Sequence, residues 1–281
     1  MQPISFKREV LNVLLRVGAV VFTIVLLIIV VNFSYSSFGM ISDGECNIAV
    51  MPIEGVILPF SGITATDELY ITPATVRSFI KTADEELGIE GIMFEINSPG
   101  GTPVAAETIA EDIKSSSLPT VALIGDIGAS GGYMVASAAD TIIASNMSEV
   151  GSIGVTMSYV EESTKNMEDG LTFVSLSTGK YKDAGNPNKP LTAEERELFE
   201  RDLTSIHNTF VEIVANNRNL SIEEVSALAD GSTMLGSRAL EAKLIDRIGG
   251  RFEAKKAFAE KLGKEESEII FCEYSPMLQL L

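Results

Sequence analysis

Two short stretches set chemistry-bearing groups among glycines. In Asn97-Ser98-Pro99-Gly100-Gly101, a glycine pair follows an apolar, strand-like run and precedes a helix-like one. Successive glycines let backbone N–H groups turn toward a bound oxygen, and in open parallel sheets ligands gather at that carboxyl edge. In Gly128-Ala129-Ser130-Gly131-Gly132, a serine lies between small residues where another strand gives way to a helix. A hydroxyl there stands open as a nucleophile, and the next amide together with the positive helix end can stabilise an oxyanion. Each stretch also has a plainer reading, the glycines as a structural turn and Ser130 as a helix N-cap.

A nucleophilic serine needs a base. The chain has one histidine, His207, beside Ile206 and four residues after Leu203 in an amphipathic run, where it reads as a partly buried helix residue. A Ser-His-Asp triad would depend on it alone and is not favoured. Lysine is the other candidate, and Ser177-Thr178-Gly179-Lys180-Tyr181-Lys182-Asp183 holds two in a turn-rich loop. A lysine serves as base only if its pKa falls from ~10.4 toward 7, at about 4 to 5 kcal/mol, which demands burial away from carboxylates. Asp183 must then point away. The plainer reading of both lysines is solvated surface charge. Cys46 and Cys272 have no Cys or His at metal-ligand spacing, so a zinc site is excluded. Whether the two form a disulfide joining the first and last strands or remain separate thiols is left open by their spacing.

The elements that must position these groups alternate. Asn47 to Leu58 reads as a strand, Thr72 to Leu87 as a helix, Gly91 to Ile96 as a buried strand and Pro103 to Ser115 as a helix. Strand Thr120 to Gly125, a small-residue helix from Ser130 to Ala139 and strand Thr141 to Ala144 follow. Short connections between them argue for an α/β fold with a parallel sheet covered by helices. Beyond a Gly-rich turn come a strand around Leu171 to Leu176, the lysine loop, and a long amphipathic helix capped by Thr192. Shorter helices at Ser221 to Ala229, Ser237 to Lys243 and Phe252 to Leu262 lead to a closing strand, Glu268 to Tyr274.

The 281 residues are 46% hydrophobic and 21% charged, enough for a sizeable core, and the net charge of −18 with no basic stripe makes nucleic acid a poor partner. One segment departs from this composition. Residues 17–33 contain no charge, and extended back to near residue 10 the run reaches the ~20 residues that cross ~30 Å of hydrocarbon. Lys7, Arg8 and Arg16 against Glu9 make the first 16 residues +2. The positive-inside rule then places 1–16 in the cytoplasm, 17–33 as a transmembrane anchor, 34–45 as linker and 46–281 as an extracytoplasmic domain at the cell membrane. A cleaved signal peptide is the competing reading, with Ser34-Tyr35-Ser36 as the small residues after the apolar run.

Taken in order, NSPGG from Asn97, GASGGYMVASAAD from Gly128, VGSIGV from Val150 and TGKYKDAGNP from Thr178 resemble the signal peptide peptidase A family of serine proteases. The resemblance runs from about residue 47 to 250 and includes Ala229 to Gly231, the GSRALEAKLID stretch from Gly236, and Gly249. It implies Ser130 as catalytic nucleophile and Lys182 as general base, with Lys180 the alternative, and Gly101 and Gly131 as oxyanion amides. It further implies a Clp-protease/crotonase-like ββα spiral, no metal or cofactor, hydrophobic peptides such as remnant signal peptides as substrates, and a homo-oligomer. This chain holds one copy of each motif where longer relatives carry two tandem repeats, so serine and lysine are expected to meet across protomers. Residues 185–189 lack the Ser-Pro-x-Arg flavour common in the family, which bears on subsites. The rival readings are a crotonase-like acyl-CoA enzyme and a non-catalytic membrane-tethered scaffold.

Overall fold

The computed structural model describes residues 14–27, 41, 45–60 and 69–273. In chain order these form α1 (14–27), β1 (Ile48–Ile57), β2 (Tyr70–Ile71), α2 (Pro73–Glu85), β3 (Gly91–Gly101), α3 (Pro103–Ser115), β4 (Thr120–Ala129) and α4 (Gly131–Ser137). β5 (Thr141–Ala144), β6 (Glu149–Gly151), α5 (Ser163–Glu168), α6 (Ala193–Arg218), α7 (Ile222–Ser226) and β7 (Thr233–Leu235) come next, and α8 (Gly236–Glu241), β8 (Arg247–Ile248), α9 (Arg251–Leu262) and β9 (Phe271–Glu273) follow among the described residues.

Period-two alternation builds the sheet. On β1, Ala49, Met51 and Ile53 face one apolar cluster while Ile48 and Val50 face the other. β3 does the same, with Ile92, Phe94 and Ile96 on the first side and Met93 on the second. Strands buried on both faces are the mark of a parallel sheet covered by helices, and the strand order is β2-β1-β3-β4-β5-β8, parallel throughout. The sheet's antiparallel pair among the described residues is β6 with β7. Residues of α2, α3, α4 and α6 fill the first side, and α9 closes the second. There Phe258 is wholly buried, a contact worth about 1.5–3 kcal/mol.

The long strands change partners along their length. β4 pairs with β5 through Val121 to Ile124 and with β6 through Ile127 to Ala129. β1 pairs with β9 at its start and with β2 at its end. Cys46 and Cys272 are disulfide-bonded, with Cα atoms 5.2 Å apart, which fastens β9 to the start of β1.

One expectation changes, and another lies partly outside the described residues. The strand anticipated at 171–176 does not form: the segment is irregular and exposed, because no described strand lies beside it to take its backbone hydrogen bonds. Of the anticipated anchor at 17–33, residues 17–27 are helical and exposed, and 28–33 lie outside the described residues. The described turns of α1 rise about 21 Å, short of the ~30 Å hydrocarbon core. Among the described residues no helix is long and apolar enough to cross a membrane.

Candidate active site

β3 and β4 lie side by side, and both end at the same carboxyl edge of the sheet. Their register shifts between Ile96 and Ser98, so Ser98 stands opposite Gly128 where the ladder loosens. Each strand then turns sharply into a helix, α3 after Gly101 and α4 after Ala129.

Ser130 occupies the second turn with φ 51° and ψ −124°, a conformation L-residues rarely adopt and one that costs about 1–3 kcal/mol. It holds the N-cap position of α4, yet its side chain makes no capping hydrogen bond. The plain N-cap role therefore does not explain the serine. Its backbone is fixed instead: the N–H donates to Gly151 O at 2.8 Å, and its carbonyl accepts from Met134 N at 3.0 Å. A strained strand-to-helix turn whose serine side chain makes no cap hydrogen bond is an arrangement able to present a nucleophile.

The first turn presses against it, backbone to backbone. Gly100 has φ +105°, and a Cβ there would lie 2.8 Å from Gly131 N and 2.9 Å from Ser130 Cβ. Ser98, fully buried, ties the turn together, its Oγ donating to Gly55 O at 2.7 Å and accepting from Gly100 N at 3.1 Å. A Cβ on Gly131 would sit 3.3 Å from Gly101 N. The structure thus brings Ser130, Gly131 and Gly101 together, and all three line one cleft of about 680 Å³. Across the cleft stand Ser152, the 229–231 turn, and the face of α6 that carries His207 and Phe210.

Lys182 is not brought into that cleft. It is exposed, in a run of turns where its N–H donates to Gly179 O at 3.2 Å. Its neighbours in the loop are committed elsewhere. Lys180 Nζ pairs with Glu194 at 2.7 Å, and that hydrogen bond, with a second donated to Tyr181, holds its pKa above the usual lysine value. Lys189 pairs with Glu195 at 2.7 Å and is likewise raised. Asp183 accepts from Asn186 at 2.9 Å and faces Lys189 at 3.9 Å. Of the three loop lysines, Lys182 is the one with no ion pair among the described residues. Lys180, opposite a carboxylate, is a poor base.

Sequence reasoning placed His207 on a helix and missed that it faces Ser130's cleft. The signal was present in its spacing, four after Leu203 and three before Phe210, on the apolar stripe of α6 that forms the cleft wall. Ser152, with φ 52°, was also missed. Among the described residues no group of three His, Cys, Asp or Glu could hold a metal ion.

The model of peptidase family S49 matches residues 112–265, a span that contains Ser130, Gly131 and Lys182. A Methanocaldococcus jannaschii protein named as a protease is 33% identical over 69% of this chain and 64% of its own length. The chloroplastic serine protease SPPA of Arabidopsis thaliana is 30% identical over 75% of this chain and 32% of its own length. Protease 4 of Haemophilus influenzae is 30% identical over 81% of this chain and 37% of its own length. The chain thus spans about a third to two thirds of these relatives. Among solved structures, a ClpP1 variant from Listeria monocytogenes aligns with 74% of this chain and 92% of its own at 14% identity and TM-score 0.48.

Proposed function

The chain belongs to peptidase family S49, and from that premise we propose that it is a membrane-anchored serine endopeptidase with a Ser/Lys dyad, acting on hydrophobic peptides such as remnant signal peptides. One observation carries the reading: Ser130 is held in a strained conformation, its side chain not spent on the helix cap, in a cleft shared with Gly101 and Gly131. Ser130 Oγ attacks the scissile carbonyl while the neutral Lys182 amine takes its proton, forming the Oγ–C bond. The oxyanion accepts from the Gly101 and Gly131 amides. The lysine returns the proton to the leaving amine as the C–N bond breaks, and water then hydrolyses the acyl-enzyme by the same route.

In this proposal Lys182 comes from a neighbouring protomer. A lysine becomes a base only when desolvated, and in the single chain Lys182 is exposed. The segment before it leaves Val160, Phe173, Val174 and Leu176 uncovered, apolar surface that a second copy would bury together with the lysine loop. The apolar run 17–33 is proposed as the anchor that holds the domain at the outer face of the membrane. β4's change of partner from β5 to β6 supports reading the sheet as the ββα spiral.

The test is hydrolysis of a fluorogenic hydrophobic peptide by the detergent-solubilised protein beside Ser130→Ala, Lys182→Ala and Lys180→Ala. The first two should lose activity by several orders of magnitude and the third should retain most of it. Mixing Ser130→Ala with Lys182→Ala should restore about a quarter of wild-type activity, since in a ring with head-to-tail interfaces that fraction of sites pairs an intact serine with an intact lysine. Full activity in Ser130→Ala removes Ser130 as the nucleophile, and a wild-type protein no more active than Ser130→Ala favours the scaffold; no recovery on mixing places both groups in one chain.

A further inference from the structure

The wall of the cleft opposite α4 is a relay of hydrogen bonds that begins at the chain's single histidine. His207 Nε2 lies 3.0 Å from the carbonyl oxygen of Ala229. A carbonyl only accepts, so Nε2 carries the proton, and the neutral ring has only Nδ1 left as an acceptor. Ala229 opens a tight turn closed by Asp230, whose Oδ1 accepts from Ser232 N at 2.9 Å and Ser232 Oγ at 2.6 Å. The turn's carbonyls in turn hold Ser152: Gly231 O accepts from Ser152 Oγ at 3.0 Å and Ser232 O from Ser152 N at 2.9 Å. Ser152 sits at φ 52°, itself in the left-handed region, and the residue before it, Gly151, accepts the N–H of Ser130. A left-handed serine at 152 and a strained serine at 130 are thus joined through one peptide unit. Conformations of that kind persist only where the surroundings over-determine them.

We propose that His207 is a positioning residue for Ser130: an Nε2–H donor that fixes the 229–232 turn, which fixes Ser152 and Gly151, which fix the nucleophile's backbone. It accepts no proton from Ser130. The inference rests on Ser130 being the nucleophile, and it assigns a role to a side chain that the Ser/Lys chemistry leaves unused although it lines the same cleft.

Two measurements on the full-length protein test it. Nitrogen NMR of histidine-labelled protein reads one ring without assignment, because His207 is the sole histidine. The neutral ring is expected as the Nε2–H tautomer; the Nδ1–H tautomer would overturn the proposal. The second is peptide hydrolysis by His207→Gln, His207→Asn and His207→Ala, matched for thermal stability and oligomeric size. Glutamine's amide nitrogen reaches about as far as Nε2, and asparagine's about as far as Nδ1. His207→Ala and His207→Asn should lose about tenfold in kcat, the weight of one hydrogen bond, and His207→Gln should recover to within about threefold of wild type. A glutamine variant no better than alanine, or an alanine variant equal to wild type, refutes the positioning role. A glutamine variant as inactive as Ser130→Ala makes His207 the base and overturns it as well. Lys182→Ala, measured alongside, reads the proposed base independently, so loss of one assignment is distinguishable from loss of the other.

Discussion

Replacing Gly131 with alanine should damage catalysis far more than folding, and the size of the effect follows from three distances. A Cβ on Gly131 would stand 3.0 Å from Ala106 Cβ, 3.3 Å from Gly101 N and 3.5 Å from Gly100 Cα. Unstrained carbon pairs sit at about 3.5–4.0 Å, so the contact with α3 falls short by about 0.5–1 Å and the turn must move. The movement separates or tilts the two amides assigned to the oxyanion, and catalytic groups tolerate only about 0.5 Å of misplacement. Losing one oxyanion donor outright costs about 100- to 1000-fold in kcat, so a displaced pair should cost about 10- to 100-fold. Overpacking of this kind costs about 1–3 kcal/mol of stability, and the chain stays folded. The assay is kcat on the fluorogenic peptide, with Tm recorded for each variant. Adding Ala106→Gly removes the atom in closest conflict. The double variant should regain most of kcat while remaining less stable than wild type, because glycine inside α3 costs about 1 kcal/mol. A Gly131→Ala protein with wild-type kcat would refute the oxyanion assignment, and a double variant no faster than the single one would refute the steric argument.

The disulfide and the acid limb of stability give two more expectations. Reducing Cys46–Cys272, or replacing both residues by serine, should cost about 2–5 kcal/mol, read as a fall in Tm. It should leave kcat unchanged, since the bond lies by the start of β1 and the cleft lies at the other end of the parallel strands. Loss of kcat at a temperature where the reduced protein remains folded would show that the two ends are coupled. Several carboxylates are held below their usual range, Glu90 by the hydrogen bond from Lys264 and Glu260 by that from Arg247. A depressed carboxylate contributes stability that is fully present above its unfolded pKa of about 4.3 and lost as pH falls through its folded value. Tm should therefore hold steady down to about pH 5 and fall below about pH 4, and Lys264→Met should shrink that fall; an unchanged acid limb in the variant removes Glu90 from the account.

The parts of the fold legible in the sequence are those whose burial pattern is local. β1, β3 and β4 announce themselves because strands buried on both faces become near-continuous apolar runs, and α2, α3 and α6 because of their spacing and caps. The Thr192 cap is formed as read, its Oγ1 accepting from Glu195 N at 3.2 Å. β6, β7 and β8 escaped because two- or three-residue strands carry no periodicity and exist only through their neighbours. The segment 171–176 failed in the opposite sense: it has the residues of a strand and, among the described residues, no strand to pair with. At the site, the serine and the glycines stand out in the sequence as candidates because strand-to-helix turns pressed this closely together demand small residues, and the structure brings them to one cleft. The spacing of His207 could place it on the cleft wall, but its link to Ser130, like that of Ser152, could not be read, because that connection runs through carbonyl oxygens of residues 151 and 229–232, which any residue type supplies.

The lysine marks where a single chain stops explaining the chemistry. A lysine that works as a base near neutral pH must be relieved of about 4 to 5 kcal/mol of preference for its charged form, and only desolvation or a nearby cation supplies that. Lys180 has the opposite surroundings, a carboxylate at 2.7 Å. Lys182 faces no such carboxylate among the described residues but is also uncovered, and Phe173, Val174 and Leu176, which precede it, are uncovered too. Apolar side chains that find no partner at home are what a low-dielectric wall is made from once a second copy supplies the facing surface. The proposed nucleophile, by contrast, is held within one chain: its strain, its backbone anchors and both adjacent amides belong to elements packed on one core. A rigid half-site and an uncovered lysine loop are complementary requirements. An assembly that buries the loop against the next protomer's cleft would satisfy both with one contact, and would leave the unassembled chain with a strained serine and no base.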